Sequence, residues 1–229
     1  MKKAVIFDLD GTLTDSLDSI KISADMAVEK LGFGPYTKEQ YKYFVGDGAA
    51  VLIERCLEAG GDKEHVHFEE AYAEYQKVFS KYCMYHVIPY EGINELLSAL
   101  KERGVKIAVL SNKPHERTKD VIHTVFGKDY FDIVQGQMEG IEKKPSPEGV
   151  FCILDKLQLT AEEILYLGDT GTDMQTGKAA GAFTIGALWG FREKQELLEN
   201  HADAIIKNPL QLLDYLQERE YYECIKSKN

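Results

Sequence analysis

The run Ala4-Val5-Ile6-Phe7 is wholly apolar and stops abruptly at Asp8, the pattern of a short strand buried on both faces. A different spacing follows. Leu17, Ile20, Ala24, Ala27 and Leu31 recur three or four residues apart, which predicts an amphipathic helix, stopped by Gly32 and Gly34-Pro35. A second helix is expected over Ala49 to Ala59, closed by Gly60-Gly61. A third carries Phe68, Tyr72, Tyr75, Phe79 and Tyr82 at helical spacing. That aromatic stripe reads first as helix-packing core, with a pocket wall as the alternative.

Beyond Pro89 the two periods alternate. Helix is predicted over 93–103, strand over 105–110, helix over 115–126 and a short strand at Ile133-Val134. A helix after Pro147, a strand over 164–167, a helix over 174–180 and strands at 183–187 and 204–206 complete the series. This alternation predicts an α/β fold, a Rossmann-like doubly wound parallel sheet. An all-helical segment interrupts the sheet just after its first strand. The expected division is residues 1–15 and 86–229 for the α/β core and 16–85 for the insertion, with a polar, frayed tail from 217 onward.

Composition narrows the partners. With 229 residues and 44% hydrophobic content the chain can bury a real core. A formal net charge of -11 argues against nucleic acid or an anionic membrane surface as partner. Lys2-Lys3 precede only four apolar residues, short of a signal peptide, and no apolar run is of membrane-spanning length. Cys56, Cys83, Cys152 and Cys224 are scattered without metal-like spacing. A cytoplasmic protein with reduced thiols, working on small molecules as monomer or homodimer, is the expectation.

The chemistry sits at strand ends. Asp8 and Asp10 follow the first strand, and on a period-2 backbone both project to one side, a crowding that a hard divalent cation would relieve. The alternative is ordinary turn chemistry at Asp10-Gly11-Thr12. Strand 105–110 runs into Ser111-Asn112-Lys113-Pro114, and strand 164–167 into Gly168-Asp169-Thr170-Gly171-Thr172-Asp173. Parallel sheets bind ligands beyond their carboxyl edge, so these segments should converge with Lys143-Lys144-Pro145. Each has a structural alternative: Ser111-Asn112 as a helix cap, Lys143-Lys144 as a solvated pair, Asp173 as an N-cap. His65, His67 and His115 have no partners at zinc spacing.

Taken together, Asp8 to Thr12, Ser111, Lys144 before proline, and Asp169 to Asp173 resemble the four motifs of the haloacid dehalogenase superfamily. The resemblance implies that Asp8 is the nucleophile that forms an aspartyl-phosphate and that Asp10 is the acid/base. It implies Mg2+ on the Asp8 side chain, the Asp10 carbonyl and Asp169, with Lys144 also catalytic. The phosphoryl group would be bound by Ser111, Asn112, Lys144 and the Leu9 amide, while Thr12 and Asp173 order the groups behind. Asp10 also separates the chain from the dehalogenases proper, which lack this second aspartate. The insertion is similar to the helical cap of the phosphoglycolate phosphatases, and Phe44 to Arg55 looks like their cap signature, which makes Gly46, Asp47 and Gly48 substrate-facing. The function so implied is a phosphatase for a small phosphorylated metabolite, 2-phosphoglycolate first. Pyrophosphate, a nucleotide, a sugar phosphate, a β-phosphoglucomutase-like transfer and a non-catalytic ligand-binding role are the alternatives.

Overall fold

The computed structural model describes residues 2–217; the predicted frayed tail lies almost wholly outside them, as does Cys224. Six parallel strands form the sheet: β1 (Ala4–Phe7), β4 (Lys106–Pro114), β5 (Ile133–Gln137), β6 (Ile164–Gly168), β7 (Phe183–Ala187) and β8 (Ala204–Ile206). Their order is β5-β4-β1-β6-β7-β8. The chain builds outward from β1 through β4 to β5, then returns to the other side of β1 to lay down β6, β7 and β8. The β1/β6 junction is therefore the topological switch point, where the carboxyl ends of neighbouring strands leave a crevice.

Strand β1 is central and fully buried, and its alternation feeds two cores. Val5 and Phe7 join one apolar cluster with Leu96, Leu97, Val109 and Leu167. Ala4 and Ile6 join another with Ala108, Val150, Ile153 and Tyr166. Helices α5 (Ile93–Glu102), α6 (His115–Val125), α7 (Glu148–Leu157), α8 (Gly171–Ala179) and α9 (Lys194–Glu199) accompany the sheet.

Between β2 (Thr14–Asp15) and β3 (Ile88–Pro89) the regular structure is helical: α1 (Leu17–Val28), α2 (Lys38–Phe44), α3 (Ala49–Ala59) and α4 (Phe68–Tyr82). These helices pack around their own apolar cluster, which holds Ile20, Tyr41, Ile53, Leu57 and Phe79. β2 and β3 pair antiparallel, Thr14 with Pro89 and Asp15 with Ile88. The entrance and exit of the helical segment thus lie side by side.

Helices α3 and α4 match their predicted limits, whereas α2 is absent from the sequence reading. Its Thr37 capping box with Gln40 is a start signal, but with seven residues it is too short to display a periodic stripe. Strand β4 extends to Pro114, four residues beyond its predicted end, because Ser111, Asn112 and Lys113 are buried despite being polar. Cys56, Cys83 and Cys152 are free thiols. Among the described residues no helix is long and apolar enough to cross a membrane.

Candidate active site

At the carboxyl end of β1 the Asp8 amide still donates to the Leu167 carbonyl of β6 (2.9 Å), after which the chain leaves the sheet. The amides of Leu13 and Thr14 both return to the Leu9 carbonyl at 3.0 Å, curling the loop back on itself. Gly11 makes this possible: its φ is +94°, and a Cβ there would lie 2.3 Å from Asp169 Oδ2. Regular strand geometry therefore ends at Phe7, while Asp8 and Asp10 both line one cavity. Asp10 turns to other partners, with Oδ1 accepting from Ser16 Oγ (2.6 Å) and Lys113 Nζ (2.5 Å).

Asp8 is crowded by the end of β6. One ligand oxygen from each of Asp8, Asp169 and Asp173 can lie within 4.8 Å of the others, all three residues being buried. Lys144 Nζ sits among them, 2.7 Å from Asp8 Oδ1 and 2.7 Å from Asp173 Oδ1. Burial, more than any other influence, drives the Asp8 carboxyl well above its usual range; Lys144 opposes this, and Asp173 and Asp169 add to it. Burial also works against the Lys144 ammonium, yet Asp173 and Asp8 outweigh it and hold its pKa well above normal. Asp169 is pushed up to about 7 by burial and then by Asp173, against the hydrogen bonds from Phe191 and Thr12. Burial is the largest influence on each of the three, and the crowding of three carboxylates around one ammonium comes second, so the cluster is both dry and short of positive charge.

The donor set fits a hard cation. It consists of carboxylate oxygens, it is buried, and it lacks the charge a divalent ion would bring. Asp173 is the least available of the three. Its Oδ1 accepts from Lys144 and Tyr166, and its Oδ2 from the Thr170 amide (3.1 Å) and Thr170 Oγ1 (2.7 Å). Thr170 is the true N-cap of α8 and Asp173 closes the box from the third helical position, so one side chain both starts the helix and holds Lys144. Thr12 Oγ1 donates to Asp169 Oδ1 (2.8 Å) and the Phe191 amide to Oδ2 (2.7 Å), which fixes the Asp169 plane.

A cavity of about 260 Å³ opens above Asp8 and Asp10, walled by the sheet loops on one side and α1, α3 and α4 on the other. Ser111, Asn112 and Lys113 line it from β4, and Gly46 and Gly48 from the loop before α3. Tyr72, Tyr75 and Phe79 line it as well, while Tyr75 and Phe79 also sit in the helical core; the aromatic stripe serves as both packing and wall.

Two expected substrate contacts are used otherwise. Asn112 Nδ2 donates to the carbonyls of Gly46 and Lys144, and Asn112 Oδ1 accepts the Lys144 amide. Its amide is thus a clamp that holds the Lys144 backbone and ties the loop before α3 to the sheet. Asp47 does not line the cavity. Its carboxylate takes Arg55 Nη2 (2.6 Å) and Thr172 Oγ1 (2.5 Å). Burial raises its pKa, but the bonds from Thr172 and Arg55 prevail and leave it below normal. Ser111 Oγ accepts the Lys113 amide (3.1 Å), and Pro114 occupies the N-cap position of α6, which has no side-chain cap. His115 is not simply exposed: its Nδ1 accepts the Gly136 amide.

The sequence reading missed Lys113 as a site residue, although it stands in the same strand-end string as Ser111 and Asn112. It also missed the loop after β7. There Trp189 Nε1 donates to the Thr12 carbonyl, the Phe191 amide to Asp169, and Arg192 to the carbonyls of Val45 and Lys42. No motif marks these positions, because backbone atoms make or receive most of the bonds.

The sequence profile of the haloacid dehalogenase-like hydrolases matches residues 5–187. The chain belongs to that family. It is 36% identical over 190 residues to a protein named phosphoglycolate phosphatase from Aquifex aeolicus, covering 82% of this chain and 86% of that one. A phosphoglycolate phosphatase from Vibrio vulnificus (strain YJ016) is 32% identical over 218 residues, 93% of this chain and 95% of its own. A solved structure from Lactobacillus delbrueckii subsp. bulgaricus superposes with a TM-score of 0.89 at 28% identity, covering 95% of this chain and all of that one. A haloacid dehalogenase-like family hydrolase from Streptococcus pneumoniae gives 0.84 at 26% identity, with 94% and 99% covered. Phosphatases of this family generally use Mg2+, in keeping with the oxygen-only donor set of the cluster.

Proposed function

We propose that this chain is a Mg2+-dependent phosphomonoesterase that hydrolyses a small phosphorylated acid, 2-phosphoglycolate in the first instance, through an aspartyl-phosphate on Asp8. The observation that carries the proposal is the pairing of Lys144 with both Asp8 and Asp173, with Asp8 lining a cavity roofed by the helical segment, which acts as a cap. The name shared by the relatives in Aquifex and Vibrio supplies the substrate.

Asp8 is held for in-line attack through Oδ1 by Lys144, and no hydrogen bond within the described residues occupies Oδ2. Lys144 and Ser111, with the Leu9 amide, take the equatorial oxygens of the phosphoryl group. Asp10 is oriented by Ser16 and Lys113 through Oδ1 alone, which leaves Oδ2 to give a proton to the leaving alcohol and later take one from water. Asp8, the Asp10 carbonyl and Asp169 would hold Mg2+, which supplies positive charge against the phosphoryl oxygens. The cap excludes water from the first displacement, with residues 16–85 moving on the β2/β3 hinge. The setting is cytoplasmic, as monomer or homodimer.

Phosphate release from a panel of phosphate esters with Mg2+ tests the proposal. Wild type should release phosphate from 2-phosphoglycolate, and Asp8→Asn should release none. Wild-type turnover by Asp8→Asn would overturn the assignment.

A further inference from the structure

Lys113 carries more capacity than Asp10 uses. Its side chain is 3% exposed, yet it lines the cavity. Among the described residues its ammonium makes one ion pair, with Asp10, and lies 5.4 Å over the Phe79 ring. An ammonium has three N–H donors, so two are unspent in a buried setting where unmet donors are costly. Lys144 differs, since Asp8 and Asp173 both claim it. Arg117, the other cation on the cavity wall, is more exposed and is paired with Asp120. The cap wall opposite is apolar at Ile20, Val45, Ala49 and Leu52 and polar but neutral at Tyr72, Tyr75 and Gln76, so no cap side chain there can neutralise a charged group.

Resting on the phosphatase reading above, we propose that Lys113 is the specificity-determining residue that receives the second anionic group of the substrate, a carboxylate carried beside the phosphoryl end. One ammonium with two spare donors suits the two oxygens of a single carboxylate. It under-serves a second phosphoryl dianion, and a neutral group would leave it unmet. Lys113 thereby bridges the far end of the substrate and Asp10, so that a correctly charged ligand is sensed beside the proton-transferring group.

The test compares 2-phosphoglycolate with its neutral amide, carbamoylmethyl phosphate, on the full chain with Mg2+. Binding of the non-hydrolysable pair 2-carboxyethylphosphonate and 2-carbamoylethylphosphonate is measured alongside. Wild type should prefer the acid in both series. Lys113→Met should reduce that preference about 10- to 100-fold, chiefly through KM, as expected for loss of a charge-assisted bond. Lys113→Arg should keep it. An equal loss on acid and amide would overturn the proposal, since it would reduce Lys113 to a support for Asp10. So would a wild-type enzyme that hydrolyses acid and amide equally well, or that prefers pyrophosphate. A chain that hydrolyses no ester refutes the phosphatase reading, while the phosphonate pair still reports on Lys113. If Lys113→Met does not fold, wild-type binding decides, and lack of preference for the carboxylate overturns the proposal.

Discussion

Asp169→Asn should stabilise the metal-free protein while abolishing turnover. Burial and then Asp173 push the Asp169 carboxyl up to about 7 in the folded protein against 3.8 ordinarily, so folding favours its neutral form. The stability it contributes is complete below pH 3.8 and is lost as pH rises through about 7. The interval is about 3 units, worth roughly 4 kcal/mol at 1.36 kcal/mol each. Asparagine removes that cost with little change in shape. Its oxygen can accept the Phe191 amide, and its NH2 can donate to Thr12 Oγ1, since a hydroxyl also accepts. In a chain of this size each kcal/mol moves the melting temperature about 2–4 °C, so metal-free Asp169→Asn should melt roughly 8–16 °C above wild type at pH 8.

Two controls make this specific. The gap should close as pH falls toward 4, where wild type keeps the proton on Asp169. Saturating Mg2+ should favour wild type, because a ligand at 100 times its Kd adds about 2.7 kcal/mol to the state that binds it, and Asp169→Asn has lost a ligating oxygen. Thermal melts with chelator and with Mg2+, from pH 4 to 8, read all three. If metal-free Asp169→Asn melts at or below wild type at pH 8, or if the gap is independent of pH, the charge-shortage account of the cluster is refuted.

Thr12→Val removes one hydrogen bond to Asp169 and should weaken Mg2+ activation about 10-fold or more, read as the Mg2+ concentration for half-maximal phosphate release; unchanged Mg2+ dependence would rule out Thr12 as the orienting group. Gly11→Ala sets a Cβ 2.3 Å from Asp169 Oδ2 at a positive φ and should cost about 1–3 kcal/mol in urea unfolding together with most of the activity. A near-wild-type Gly11→Ala would show that the loop can re-route. Asp47→Ala cuts the link from Arg55 in the cap to Thr172 in the core and should raise KM more than it changes melting temperature, whereas an unchanged KM would remove Asp47 from cap closure.

How much of this was legible in sequence depended on where each residue's partners lie. The Asp8 loop and Asp169 could be read from their types and strand-end positions, whereas Lys144 stood out through the proline that follows it and the family resemblance. Asp10 was legible as a strand-end carboxylate, but its partners Ser16 and Lys113 were not. The spacing rule that put it beside Asp8 holds only while the strand continues, and the Leu9 carbonyl ends the strand by drawing in Leu13 and Thr14. Asp47 and Asn112 show a related gap between residue type and use. Asp47 lies in the loop before α3 and Asn112 near the end of β4, and their side chains are spent on Arg55, Thr172, Gly46 and Lys144, partners up to 125 residues away. A residue type announces that a group can bond, and only the packed chain decides whether that capacity is already used. Lys113 is the converse case. Its neighbours in sequence gave it no distinct role, and its significance lies in donors that the fold leaves unspent inside a cavity otherwise short of charge. The role proposed for Lys113 therefore rests on the balance of used and unused hydrogen bonds around the cavity, a quantity that no motif records.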